Sequence, residues 1–323
     1  MKAISLNGSS KLNLKKTCAA IGIFDGVHRG HQYLIKKMLT TARRLGARPI
    51  VITFFPHPAH VLRPDLKLGY LTSLEDRFRL LGDLGVAACL VVRFNRSFAK
   101  IHPEKFIKDI LVKKLGVKAV FVGDDFRFGK DRSGDIALFQ RLGPPYGYEM
   151  HAVSALKQGR AVISSTRIRQ LVETGKLNEA ARLLGRRVSI SGVVVKGSER
   201  GKSLGFPTAN IEYGFPPPLW GGYGRGIPFI LPPQAVYVVK VLLGARKYPA
   251  IANIGTRPSF EKQISKLHLE VHILDFSKNI YGKRLEVEFL KKIRNEKKFS
   301  SPQDLAHQIQ KDESFARKYL AFR

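Results

Sequence analysis

At 323 residues the chain exceeds what one ordinary hydrophobic core holds, so two domains are expected. A hydrophobic fraction of 44% with 25% charged residues describes a globular protein, and no apolar run reaches the roughly 18 residues of a membrane-spanning helix. The net charge of +31 is spread over both halves and favours anionic ligands. No helix-turn-helix, RRM or KH pattern accompanies it, so no specific nucleic-acid partner is expected.

Met1 to Lys16 is polar, scattered with lysines and without an apolar run, so no secretory leader is expected. Cys18 and Cys89 lie in apolar, strand-like stretches and form neither a metal nor a redox spacing. Both observations point to the cytoplasm. From Ala19 to Ala155 the pattern alternates. Apolar runs at 19–24, 48–55, 87–93 and 117–122, with a weaker one at 148–153, predict strands. Segments 31–45, 73–84 and 103–115 carry apolar residues at three- and four-residue spacing and predict helices. Thr72-Ser73-Leu74-Glu75 reads as a capping box opening the second of these. Such repetition predicts an α/β doubly wound parallel sheet with right-handed crossovers and helices on both faces. Ligands of such sheets bind at the carboxyl ends of strands, where Asp25 to His31, Pro56-His57-Pro58 and Gly123 to Gly129 fall.

Ser164-Ser165-Thr166-Arg167-Ile168-Arg169 comes next, with a hydroxyl at an expected N-cap and two arginines in the first turns. A short helix over Leu177 to Leu184 ends at Gly185. Beyond Arg186 the segments 187–195, 235–243, 248–253, 267–274 and 284–290 are valine-rich and alternating, which predicts an antiparallel β-barrel or sandwich. Glu212 to Pro233, dense in proline and glycine, predicts a loop, and 302–321 an amphipathic C-terminal helix. The change of pattern puts the domain boundary near 185, giving domains 1–185 and 186–323.

Several constellations carry chemistry. In Gly22-Ile23-Phe24-Asp25-Gly26-Val27-His28-Arg29-Gly30-His31 a buried strand passes through a glycine-punctuated turn into a helix. Glycines there let a phosphate approach the backbone, and the helix N-terminus offers unpaired N–H groups. The rival reading, a metal site that adds His57 and His60, lacks further ligands at fixed spacing. Ser164 to Arg169 supplies hydroxyl and guanidinium donors suited to a polyphosphate. Gly197-Ser198-Glu199-Arg200-Gly201-Lys202-Ser203 resembles a P-loop but has three residues between its glycines instead of four, and Leu204-Gly205-Phe206-Pro207 follows where a helix should. It is still a glycine-rich loop able to wrap phosphates. Pro207-Thr208-Ala209-Asn210 sets two hard oxygen donors on one side of an extended segment, a spacing that suits Mg²⁺ and equally an ordinary turn. Glu270 lies in the alternating strand Leu267 to His272, where a carboxylate faces solvent unless it serves as a base.

Taken together, Gly22 to His31, Phe54 to Pro58, Gly123 to Gly129, Ser164 to Arg169 and Gly197 to Asn210 resemble the bacterial bifunctional riboflavin kinase/FMN adenylyltransferase family. Ala252 to Phe260, Glu270 to Gly282 and Arg294 to Phe299 extend the match over nearly the whole chain. The resemblance implies a nucleotidylyltransferase-like domain followed by a riboflavin kinase barrel. It implies that riboflavin is phosphorylated by ATP to FMN, and that FMN is then adenylylated by a second ATP to FAD and pyrophosphate, both steps with Mg²⁺. In the barrel, Thr208 and Asn210 match the magnesium ligands, Glu270 the general base, Gly197 and Lys202 the loop over ATP, and Tyr281 a nucleotide contact. Arg294, Lys297 and Phe299 match the flavin side. In the first domain, His28, His31 and Arg169 match the catalytic groups at the ATP phosphates. Gly22, Phe24, Asp25, Gly30, Ser164, Ser165 and Thr166 match the nucleotide site, and Asp125, Phe126 and Phe128 the flavin side. Ile23 and Phe55 stand where the family often has Asn and Glu. The alternatives are a member with one active half, and a basic nucleic-acid-binding protein retaining the fold.

Overall fold

The computed structural model describes residues 1–5, 14–66, 68–197, 205–213, 229–256 and 267–321. Lys202, nearly all of the P-loop-like stretch and most of the expected 212–233 loop lie outside them. The chain divides into two compact units, one taking in Met1–Ser165 and the other Thr166–Gly214 and Phe229–Arg323.

The first unit is a six-stranded, all-parallel sheet of β1 (Lys2–Ser5), β2 (Thr17–Ile21), β3 (Arg48–Phe55), β4 (Ala88–Arg93), β5 (Val117–Gly123) and β6 (Glu149–Val153) in the order β1-β4-β3-β2-β5-β6. Five of these are the strands expected from the sequence. The sixth, β1, pairs with β4 at the sheet edge and lies in the stretch read only as polar. The strands are buried on both faces, so they read as continuous apolar runs. One face, including Ile21, Ile52, Leu90 and Val122, packs on Phe106, Ile107, Ile110 and Leu111. The opposite face meets α1 (Arg29–Leu45), whose Met38 carbonyl accepts from the Cys18 thiol.

Helix α1 buries Leu34, Ile35, Met38, Leu39 and Ala42, the one-sided spacing that its sequence showed. It ends at Gly46, whose left-handed φ of 55° glycine adopts without penalty. After β3 come the short α2 (Pro58–Leu62) and α3 (Leu74–Asp83). The cap of α3 is Ser73, one residue beyond the expected Thr72: its hydroxyl accepts from Asp76 N–H and donates to the Asp76 carboxylate. Thr72 is drawn to the site loop instead, as described below. Next are α4 (Arg96–Ala99) and α5 (Pro103–Lys105), which continues as a π-helix over Phe106–Lys114. Helix α6 (Ile136–Tyr146), capped by Asp135, went unread because Pro144-Pro145 in its last turn signals a break.

A small hairpin of β7 (Lys157–Gln158) and β8 (Ala161–Val162) leads to α7 (Ser165–Glu173) and α8 (Leu177–Leu184). The second unit closes β9 (Ser189–Val195), β10 (Ala209–Glu212), β11 (Ala235–Leu243), β12 (Arg246–Thr256), β13 (Leu267–Ile273) and β14 (Arg284–Asn295) into an antiparallel barrel in the order β10-β13-β12-β11-β14-β9. The barrel resolves the barrel-or-sandwich alternative. Alternate residues such as Val239, Ala252, Ile254, Val271, Val287 and Phe289 are buried. The other set faces outward, and α9 (Pro302–Ala321) covers part of it by packing Ala316 with Val238 and Ile251. At Gly192 any Cβ would meet the Glu212 carbonyl at 2.5 Å, so this glycine permits the close approach of β9 and β10 that closes the wall.

Candidate active sites

In a parallel sheet ordered β4-β3-β2-β5-β6, the chain winds outward from β2 to β4 and then returns to β5. The crevice at the carboxyl ends of β2 and β5 is therefore the topological switch point. The loop that leaves β2 there is held in an unusual conformation. Phe24, Gly26 and Val27 have φ of 53°, 85° and 39°, a costly region for a β-branched valine. Surrounding groups hold it. Thr53 Oγ1 and Arg77 Nη1 donate to the Ile23 carbonyl at 2.8 and 3.0 Å. Ser165 Oγ donates to the Asp25 carbonyl at 2.9 Å, and Gly26 N–H donates to Thr72 Oγ1 at 3.0 Å.

The loop delivers His28 to the N-cap of α1. Its Nδ1 accepts from His31 N–H at 3.3 Å, so the ring proton sits on Nε2 as a donor. The two imidazoles stack with centroids 3.5 Å apart and an interplanar angle of 18°, and Phe24 meets His31 edge-on at 5.2 Å. Gly30 leaves room for this stack: a Cβ there would press on the His28 ring, 3.1 Å from Cε1. At Gly22 a Cβ would press on the Phe24 ring at 3.2 Å. The amides of a helix N-terminus, here beside two imidazoles, have the polarity that suits an anion.

Three expected contacts also have partners within the protein. Asp25 is 1% exposed, and its carboxylate accepts from Leu71 N–H, Thr72 N–H, Thr72 Oγ1 and Arg77 Nη2. It anchors the loop. Ser165 likewise has its hydroxyl on the loop backbone. Phe128 is half-buried at the edge of the core, packing against Phe139 at 4.6 Å and Phe106 at 5.6 Å. Phe126 stacks on Phe128 at 5.6 Å with part of its surface open, and Asp125 is exposed. Ser164 precedes α7, while Thr166 and the buried Arg169 lie on α7 within the second compact unit. His57 caps α2 and His60 bonds the Leu68 carbonyl, both against Tyr70. Among the described residues no three His, Cys, Asp or Glu side chains gather as a metal cluster.

The barrel carries the second constellation on its outer face. Asn210 on β10 is register-paired with Glu270 on β13, and Glu270 with Asn253 on β12. Directly opposed residues stand about 5 Å apart, so Asn210 and Glu270 are neighbours, and Thr208 lies just before β10. Gly197 must lack a side chain, since its Cβ would collide with the Asn210 amide. His272, two residues beyond Glu270, is 9% exposed and its Nδ1 donates to the Pro207 carbonyl at 2.8 Å, with Phe206 against the ring. The strand of Glu270 thus holds the Pro-Thr-Ala-Asn segment in place. Tyr281 is 43% exposed, its amide held by Asn279 Oδ1.

Arg294, expected beside the flavin, uses its donors within the protein. Nε and Nη2 bind Asp312 of α9 at 2.7–3.0 Å, Nη1 binds the Asn295 carbonyl, and the guanidinium lies 5.7 Å from the Phe299 ring. Arg294 fastens α9 to β14. Lys297 is exposed beside this pair, with Phe299 half-buried. Arg77 and His272 were not singled out from the sequence. Each acts through a partner distant in the chain, and no local spacing announces such a contact.

The family described as FAD synthetase matches residues 10–167, and the family described as riboflavin kinase matches residues 184–320. The chain belongs to the bifunctional riboflavin kinase/FMN adenylyltransferase family. It is 41% identical over 301 residues to the bifunctional riboflavin kinase/FMN adenylyltransferase of Escherichia coli (strain K12), covering 93% of this chain and 91% of that protein. The Bacillus subtilis (strain 168) enzyme of the same name is 36% identical over 309 residues, with 95% and 93% covered. A crystal structure of a Streptococcus pneumoniae protein described as a macrolide-efflux protein superposes with a TM-score of 0.82 at 29% identity, covering 98% of this chain and 99% of that one. Among the described residues of this family member, no helix is long and apolar enough to cross a membrane.

Proposed function

We propose that the barrel phosphorylates riboflavin with ATP to give FMN and ADP, and that the sheet unit transfers AMP from ATP to FMN, giving FAD and pyrophosphate. Membership of the family supports both activities, and the pairing of Asn210 with Glu270 carries the residue-level reading. Glu270 takes the proton from the ribityl 5′-hydroxyl as its oxygen attacks the γ-phosphate. Thr208 and Asn210 would hold Mg²⁺, which neutralises phosphate charge when bound. Their hydroxyl and amide oxygens suit a hard cation, and the bare backbone of Gly197 beneath Asn210 keeps that amide in place. Gly197 and Lys202 belong to the loop over ATP, with Tyr281 on the nucleotide side and Lys297 and Phe299 on the flavin side.

In the sheet unit, a phosphate oxygen of FMN attacks the ATP α-phosphate and pyrophosphate leaves. His28 Nε2–H and His31 stabilise the charge that develops there; the family resemblance assigns Arg169 to the polyphosphate. Catalysis is by position and electrostatics, with no covalent enzyme intermediate. Asp125, Phe126 and Phe128 stand on the flavin side. Domains 1–185 and 186–323 carry the two reactions, and a cytoplasmic location is part of this reading.

Incubation with riboflavin, ATP and Mg²⁺, resolving FMN and FAD over time, tests it. His31→Ala is expected to stop at FMN. Glu270→Ala is expected to form no FMN yet to convert supplied FMN to FAD. A folded variant of either kind that lost both steps would overturn the assignment of independent sites.

A further inference from the structure

The register of the barrel wall extends the Asn210–Glu270 pair into a longer row. Asn253 faces Glu270 across β12 and β13, Val236 faces Asn253 across β11 and β12, and Arg294 faces Val236 across β11 and β14. The row therefore runs from the proposed general base, past Asn253, to the Arg294–Phe299 pair on the proposed flavin side.

Asn253 is the odd member. Ala252 and Ile254, its neighbours in sequence, are 1% and 0% exposed and fill the barrel, so Asn253 projects to the outer face. Its Oδ1 is shielded from solvent and has no hydrogen-bond partner among the described residues. A buried acceptor without a donor destabilises a fold, so an apolar residue would serve the strand better if packing were its only task.

We infer that Asn253 is a substrate-binding residue whose Oδ1 accepts a hydrogen bond from an inner hydroxyl of the flavin's polyol chain. The inference rests on the reading of Glu270 as the base that meets the terminal hydroxyl. Adjacent strands are about 5 Å apart, and a five-carbon polyol fixed at its terminal hydroxyl spans that distance toward Asn253. Its hydroxyls are donors of the kind that the shielded Oδ1 lacks. The contact would align the chain along the row and fix which hydroxyl reaches Glu270.

The test uses the full-length protein. Asn253→Leu keeps the volume and removes the acceptor. It is expected to raise the riboflavin KM about tenfold, the worth of one neutral hydrogen bond, with the ATP KM and the Mg²⁺ requirement unchanged. Thermal stability should hold or rise, and supplied FMN should still become FAD at the normal rate. Wild-type protein given a riboflavin analogue lacking an inner ribityl hydroxyl should show a similar loss. The variant should not distinguish the two substrates. A lowered Tm, a raised Mg²⁺ requirement, or equal discrimination by variant and wild type would overturn the inference. Glu270→Gln, assayed in parallel, separates the two layers. If it still forms FMN, the site itself is misread; if it does not and Asn253→Leu behaves as wild type, only the role of Asn253 fails.

Discussion

Placing Arg77 and Asp25 side by side, at 0% and 1% exposure, removes two charges from water, and the Coulombic attraction alone does not offset that cost. The two Leu71 and Thr72 amides, the Thr72 hydroxyl and the Ile23 carbonyl complete the network that makes the pair tolerable. Removing one charge leaves the other stranded. Arg77→Met is expected to destabilise the first unit by about 3 kcal/mol in a denaturant titration. It should slow FMN-to-FAD conversion while sparing riboflavin phosphorylation. Gly197→Ala should do the opposite, because its Cβ occupies the space of the Asn210 amide. A displacement of that order costs about 100-fold in FMN formation, read as kcat with FAD formation from supplied FMN as control. The buried thiols give a third residue-scale expectation. Burial pushes Cys18 and Cys89 each up to about 12, so both remain thiols at neutral pH. The native protein should be unreactive to a thiol reagent until it is unfolded.

Helix α9 shows how an element is secured by contacts that its own sequence does not display. Periodicity predicts the helix over 302–321 and the structure gives Pro302–Ala321. Where it docks depends on Arg294–Asp312, with Asp312 2% exposed, and on Arg317 gripping Asp275 after β13. Asp312→Ala leaves the Arg294 guanidinium half-buried and unneutralised. The expected loss is about 3 kcal/mol, together with reduced FMN formation, since Arg294 holds the Phe299 end of the row. The hydrogen bond from Arg317 holds the Asp275 carboxyl below the usual carboxylate range. Its contribution is therefore present at neutral pH and is lost as pH falls through that lowered value. Asp275→Asn should flatten this part of the acid-unfolding curve, measured by circular dichroism between neutral pH and pH 2. The helix in 136–146 shows the converse: its two prolines suppress the helical signal, yet Asp135 accepts from Leu138 N–H and Tyr148 OH donates to the Phe139 carbonyl to fix both ends.

For the molecule as a whole, a net charge of +31 favours anions such as ATP and FMN, and favours nucleic acid only without sequence selectivity. Binding to a random DNA duplex should fade near physiological salt. Steep binding that survives it would favour the nucleic-acid reading over the enzyme.

Much of this protein was legible in the chain. Period-two and period-3.6 patterns are local, and they marked five of the six parallel strands, five of the six barrel strands and the longer helices other than α6, while the short β1 and β10 carry too few residues to show a period. The glycine-and-histidine loop at 22–31 and Pro-Thr-Ala-Asn were also legible as candidate sites, because glycines and hard donors at fixed spacing are properties of neighbours in sequence. What the sequence left open depends on which distant residues face each other. Strand register alone sets Asn210, Glu270 and Asn253 in one row. The fold also pairs Asp25 with Arg77 beneath the histidine loop, and Arg294 with Asp312 of α9. A residue's chemistry is written in its side chain, but its partner is chosen by the fold. The opening loop supplies the histidines; Thr72, Arg77 and Ser165, brought from 46 to 140 residues away, hold the loop in shape.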